Sequence, residues 1–167
     1  NFYTTPEIER IIQRSAKILG ILLAPGAAAA IAARSRFTPR IANQLLKRCR
    51  DFAQVHKQAI STEIVEKTLA LLGIDELGLS SADRRIMEIL IEKFAGGPVG
   101  LGTIAAAASE EEATIEEVHE PYLLQLGFLE RTPRGRLATR KSYDHLGHPF
   151  PARFAESRRA DRQEKLI

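Results

Sequence analysis

Arg131, Arg134 and Arg136 crowd a six-residue stretch around the turn Thr132-Pro133-Arg134-Gly135, and no acid lies between residues 131 and 141. Guanidinium forks match the geometry of phosphate oxygens better than lysine does. Carried on a tight turn, they would project from a rigid hairpin, a shape that fits a minor groove or straddles backbone phosphates. A separate cation, Arg40, follows Thr38-Pro39 at what reads as the first turn of a helix, where the helix dipole favours acids. A cation there is unfavourable unless an anion is near, so the position leaves two readings open, a plain surface arginine or a partner for a phosphate supplied by another domain.

Other candidate chemistry is rejected on spacing. Gly97-Pro98-Val99-Gly100-Leu101-Gly102-Thr103 imitates a phosphate loop, but it has no lysine to meet phosphates and follows a helical pattern instead of a strand. Leu71-Leu72-Gly73-Ile74-Asp75-Glu76 imitates the apolar run and acids that hold Mg²⁺ in ATPases, yet Gly73 interrupts it and the preceding residues have helical periodicity, so it reads as a linker. His145 and His148 are three apart across a glycine, with no cysteine or carboxylate cluster nearby, so no metal site is expected. His56 is expected to face solvent, His119 sits amid glutamates, and Cys49 reads as a small core residue. No nucleophile and base stand at catalytic spacing.

These side chains need elements to hold them, and the pattern supplies two groups of helices. Thr4 or Thr5 caps a first helix entered through Pro6, with Glu7 completing a capping box and Ile8, Ile11, Ile12, Ala16 and Leu19 on one face. Pro25-Gly26 ends that segment, and an alanine-rich helix follows over residues 27–33. Thr38-Pro39 starts a third, with Ile41, Leu45, Cys49, Phe52 and Ala53 inward. Ser61 or Thr62 caps a fourth, with Ile64, Val65, Thr68, Leu69 and Leu72 inward and Gly73 as its stop. The first 77 residues thus predict a four-helix bundle, closing on a short linker over residues 73–78.

Ser80 and Asp83 open a second module as a capping-box pair. Ile86, Ile89, Leu90 and Phe94 mark one helix, broken by Gly96-Gly97-Pro98; residues 101–108 suit a short second. Thr114 caps a third with Ile115, Val118, Tyr122 and Leu126 inside, and Pro121 is expected to kink it or shift its register because proline lacks a backbone donor. Residues 128–131 and 136–140 read as two strands across the arginine turn. Three helices followed by a basic hairpin is winged-helix order, predicted over residues 78–147. From residue 148 the apolar pattern stops, and a flexible tail over 148–167 is expected.

Charge and composition narrow the role. Of the 167 residues 44% are hydrophobic and 27% charged, the balance of a folded chain, and the net charge is +3. Residues 1–77 hold eleven Lys and Arg against seven Asp and Glu, whereas residues 78–143 hold eight against ten. In that second part Glu110, Glu111, Glu112, Glu116, Glu117 and Glu120 cluster without a Lys or Arg among them. The third helix should therefore repel DNA, leaving the hairpin to meet it. No run approaches the roughly 18–20 apolar residues of a membrane span, since Gly20, Pro25 and Gly26 break the greasiest stretch. A single cysteine provides no disulfide frame and suggests a cytosolic, hence cytoplasmic, setting. The start at Asn1, with no Met and no signal-peptide order, suggests a trimmed fragment.

Thr38-Pro39-Arg40-Ile41-Ala42-Asn43 resembles the second sensor motif of an AAA+ ATPase lid. Gly96-Gly97-Pro98-Val99-Gly100, Thr114-Ile115-Glu116, Glu120-Pro121-Tyr122-Leu123, Gly127-Phe128 and Arg131-Thr132-Pro133-Arg134-Gly135-Arg136 together resemble the winged-helix head of the RuvB family of bacterial Holliday-junction branch-migration motors. Phe2-Tyr3-Thr4 and Tyr143-Asp144-His145-Leu146-Gly147 extend the resemblance over residues 2–147. It implies a mainly α chain: a four-helix AAA+ lid followed by a winged-helix domain of three helices and a basic β-hairpin wing. It further implies a ring, usually hexameric, around double-stranded DNA, driven by ATP with Mg²⁺, and working on Holliday junctions with RuvA and RuvC. By that resemblance Tyr3 contacts the nucleotide from the hinge, Arg40 senses its phosphates, and Arg131 and Arg136 bind DNA. The P-loop, the Mg²⁺-holding acids and the arginine finger would precede Asn1, leaving no catalytic residue here and no ATP hydrolysis by the chain alone. Phe37 stands where the family commonly has glycine, and Glu112 where a basic residue is expected, so an altered turn before Arg40 and greater reliance on the wing are anticipated. The alternatives are a non-enzymatic winged-helix regulator with a helical dimerisation domain, and an origin-binding AAA+ initiator.

Overall fold

Glu7 anchors the start of the chain: its carboxylate accepts from the Thr4 backbone N–H at 2.7 Å and from the Thr4 hydroxyl at 2.8 Å. This satisfies a donor that the first turn of a helix would leave open. The computed structural model describes residues 3–152; the expected tail beyond 152, and Phe2, lie outside the described residues. Helix α1 (Thr5–Ile18) buries Ile8, Ile12 and Ala16. Leu19, expected on that face, is exposed because the helix stops at Ile18 and Leu19 becomes its C-cap. Helix α2 (Ala27–Ala33) buries five of its seven residues, and methyl side chains let its neighbours approach closely. Helices α3 (Pro39–Val55) and α4 (Thr62–Leu71) complete the first unit around Ile31, Leu46, Cys49 and Val65. Ser61 is the N-cap of α4, its hydroxyl accepting from the Ile64 N–H at 3.3 Å. Leu72, predicted inward, is the exposed C-cap of that helix.

The Asp75 imitation of a Mg²⁺ acid is a turn device. Its Oδ1 accepts from the backbone N–H of Leu77 at 3.0 Å and of Leu79 at 2.8 Å. The chain divides into two contact units between Ala82 and Asp83.

The second unit opens with α5 (Ser81–Glu92) and α6 (Leu101–Ala108). A third helical stretch follows in three parts: α7 (Glu112–Thr114), a π-helical turn (Ile115–His119) and α8 (Glu120–Gln125). Pro121 explains the division, because it cannot donate to the carbonyl one α-turn earlier and a wider turn absorbs the missing bond. The extra residue in that turn rotates the helix. Val118, predicted inside, is 56% exposed, and the buried positions pass to His119 and Glu120. The helix also begins earlier than Thr114, with Glu111 as its N-cap.

Strands β1 (Leu129–Thr132) and β2 (Gly135–Ala138) pair antiparallel, with Leu129 opposite Ala138, Arg131 opposite Arg136 and Thr132 opposite Gly135. Strand β2 ends before the predicted residue 140 because Thr139 is the N-cap of a further helix, α9 (Arg140–Leu146), which the periodicity did not indicate. The Thr139 hydroxyl donates to the Gly127 carbonyl at 2.6 Å, and the Ser142 hydroxyl donates to the Phe128 carbonyl. The first residues of the stretch read as a tail have partners. The His148 N–H donates to the Tyr143 carbonyl at 2.9 Å, and the Phe150 ring meets Tyr143 edge-on with centroids 5.1 Å apart.

Gly135 is the tightest point of this unit. Its φ is +129°, and a Cβ there would overlap the Val99 carbonyl. Gly135→Ala is therefore expected to cost about 1–3 kcal/mol of stability. Denaturant unfolding of both chains measures it, and an unchanged midpoint would show that the packing at Val99 yields freely.

Candidate nucleic-acid interface

The hairpin tip is built from its own polar groups. The Thr132 hydroxyl donates to the Gly135 carbonyl at 2.8 Å and accepts from the Arg134 N–H at 3.3 Å, closing a two-residue loop of Pro133 and Arg134. Val99 adds a third strand of one residue: its N–H donates to the Arg136 carbonyl at 2.9 Å, and the Arg136 N–H returns to the Val99 carbonyl at 2.7 Å. The glycine-rich segment that imitates a phosphate loop is thus sheet backing for the wing. Arg134 is exposed at the tip, and its guanidinium has no partner among the described residues.

Arg131 and Arg136 do not project independently. Both grip Glu120, the first residue of α8, whose side chain has 0% exposure. Arg131 donates Nε to Oε1 at 2.8 Å and Nη2 to Oε2 at 3.1 Å; Arg136 donates Nε to Oε1 at 2.9 Å and Nη2 to Oε2 at 3.0 Å. Arg131 stays 53% exposed and Arg136 19%. Glu116 stands 3.9 Å from Arg131, an exposed pair that contributes little. Burial pushes the Glu120 carboxyl up, but hydrogen bonds from Arg131 and Arg136 and their charges outweigh it, leaving its pKa below the ordinary 4.5. Two guanidiniums against one buried carboxylate leave the three-residue clamp itself net positive.

Glu120 was missed by sequence reasoning because an α-helical register through Val118 turns it outward; Pro121 was the signal. The same rotation buries His119, whose Nδ1 lies 2.7 Å from Asp83 Oδ1. The other acids of this stretch, Glu110, Glu111, Glu112, Glu116 and Glu117, are exposed.

In the first unit, Arg40 is exposed in the opening turn of α3 and has no partner among the described residues. Thr38 occupies the N-cap position, but its hydroxyl turns back to donate to the Arg36 carbonyl at 3.0 Å, so no side chain caps α3. Phe37 has a φ of +54°, in the left-handed region that glycine occupies without strain; phenylalanine has not forced the backbone out of it. Tyr3 is exposed. Cys49 is fully buried, and burial pushes its thiol up to about 11 despite a hydrogen bond with Thr68. His56 is exposed as expected, stacked on Phe52 with centroids 4.1 Å apart. His145 lies against Phe128 and His148 is 3.7 Å from Glu92.

A helical bundle joined to a winged hairpin of this form has known counterparts. The model of the RuvB AAA lid domain matches residues 3–75, and that of the RuvB C-terminal winged helix domain matches residues 76–147. The chain belongs to the RuvB family. It is 55% identical over 153 residues to the Holliday junction branch migration complex subunit RuvB of Chloroflexus aurantiacus, a match covering 91% of this chain and 44% of the relative. The RuvB subunit of Chloroflexus aggregans is also 55% identical over 153 residues. The structure of the Thermotoga maritima RuvB Holliday junction branch migration motor superimposes with a TM-score of 0.86 at 50% identity, covering 90% of this chain and 51% of that one. The chain therefore spans less than half the length of the curated RuvB relatives it matches.

The Glu120 clamp has a measurable stake in stability. Glu120→Ala is expected to cost about 1–3 kcal/mol, since water can re-solvate the half-exposed Arg131 but Arg136 less fully. The lowered carboxyl pKa places the clamp's contribution in full above about pH 4.5, to be lost as pH falls through the lower folded-state value. Unfolding midpoints of both chains between pH 7 and pH 2 should converge at the acid end; a constant gap would mean that charge on Glu120 does not stabilise the fold.

Proposed function

We propose that this chain supplies the nucleotide-sensing lid and the DNA-binding head of an ATP-driven motor that moves Holliday junctions. The lid corresponds to residues 1–77, the head to residues 78–147, and a tail to residues 148–167. Arg134, Arg131 and Arg136 meet the phosphate backbone of double-stranded DNA, and Arg40 with Tyr3 meets the nucleotide. Catalysis and Mg²⁺ belong to the part of the relatives' length that this chain does not span. The complete protein acts in the cytoplasm as a hexameric ring, a helicase and translocase that works with RuvA and RuvC during recombination and repair.

The observation that carries the DNA reading is Arg134, an unpartnered cation at the tip of a braced hairpin whose turn and second strand carry no acid. The relatives' role in Holliday junction branch migration supports the same assignment. An acidic third helix argues against base reading in the major groove and so against a sequence-specific regulator. Among the described residues no helix is long and apolar enough to cross a membrane. For the lid, the support is an exposed arginine at the uncapped start of α3, where a phosphate would satisfy both the dipole and the side chain.

Fluorescence anisotropy with random-sequence duplex, a palindrome pool and a four-way junction, across salt, tests this reading. Arg134→Ala should weaken binding to every duplex alike and reduce the salt slope by about 0.9. Tight, sequence-selective binding that survives the substitution would favour the regulator. In the complete protein, Arg40→Ala should lower ATP turnover while the unfolding midpoint stays put; undiminished turnover would remove Arg40 from the nucleotide site.

A further inference from the structure

Arg131 and Arg136 face each other directly across the hairpin, on the same side of the sheet. Like charges in that register repel and would swing apart. The carboxylate of Glu120 prevents it, offering two oxygens that each accept one bond from each guanidinium. With four bonds accepted, its hydrogen-bonding capacity is full. The two arginines differ in what remains to them. Arg136 is largely covered, whereas Arg131 keeps half its side chain in water and its Nη1 edge unused by the clamp.

We propose that Glu120 is a positioning residue of the DNA-binding wing, acting through Arg131. It holds the Arg131 guanidinium by its Nε and Nη2 edge so that the opposite edge is aimed outward at a phosphate before DNA arrives. This rests on the DNA reading above and assigns a role to a residue that would not itself touch DNA. The physical gain is preorganisation: a free arginine side chain gives up rotamer freedom when it binds phosphate, and one already clamped has lost it during folding.

The sign of the effect separates this role from plain electrostatics. Glu120 carries negative charge beside a cation that meets a polyanion, so on Coulombic grounds its removal should tighten DNA binding. Positioning requires the reverse.

The experiment compares the full 167-residue chain with Glu120→Gln, Arg131→Ala, Arg131→Lys and the Glu120→Gln/Arg131→Ala pair, using anisotropy with random-sequence duplex at fixed salt. Glu120→Gln is expected to weaken binding about five- to tenfold, and the double variant to bind no more weakly than Arg131→Ala alone. Arg131→Lys, which keeps the charge but loses the two-point grip, is expected to fall near Arg131→Ala. Should Glu120→Gln prove unfolded by circular dichroism, Arg131→Lys decides the matter from an exposed position. Unchanged or tighter binding by folded Glu120→Gln, an equal loss in both backgrounds, or wild-type affinity in Arg131→Lys would overturn the proposal. A wild-type chain that binds no duplex at any salt overturns the DNA reading itself, and this role with it.

Discussion

Glu120 carries its carboxylate where water does not reach, and two guanidiniums make that tolerable. Much of the second unit is arranged around this contact. It fastens the first turn of α8 to both strands of the hairpin, spanning 11 residues of sequence to Arg131 and 16 to Arg136. A hairpin of two four-residue strands is marginal by itself. Here it is tied to a helix on one side and bonded to Val99 on the other, so the wing holds one orientation.

That arrangement begins with a missing hydrogen atom. Pro121 cannot close an α-helical bond, the turn before it widens, and the rotation that follows exchanges Val118 for His119 and Glu120 on the buried face. The consequence reaches α5 through His119 and Asp83 as well as the wing through Glu120. One proline thus determines which of six clustered glutamates is structural and which five remain on the surface.

Much of the fold was legible because its signals are local. The Thr4 and Glu7 box, the Ser61 cap, the apolar spacing of α3 and the Pro133-Arg134 loop are each decided within a few residues, and they appear where the spacing predicts. The misses lie where distant partners decide. Helix α9 is capped by Thr139, whose hydroxyl is bonded to Gly127, and no periodicity of Arg140-Lys141-Ser142-Tyr143 announces that bond. Phe150 reads as part of a polar tail until Tyr143 is present to receive it. At the interface, the exposure of Arg134 follows from turn chemistry alone, and Arg131 facing Arg136 follows from a two-residue loop. Their shared carboxylate does not, because it depends on a helical register that only tertiary packing selects.

Val99 has a mechanical meaning. Its paired bonds to Arg136 run across the strand direction, so a pull along β2 loads both together in shear instead of opening them one at a time. The hairpin is consequently no free finger. A force applied at its tip is divided between the sheet contact at Val99, which leads into the start of α6, and the Glu120 clamp, which leads into α8. The wing behaves as a lever with two bearings, and displacement at the tip reaches two helices at once.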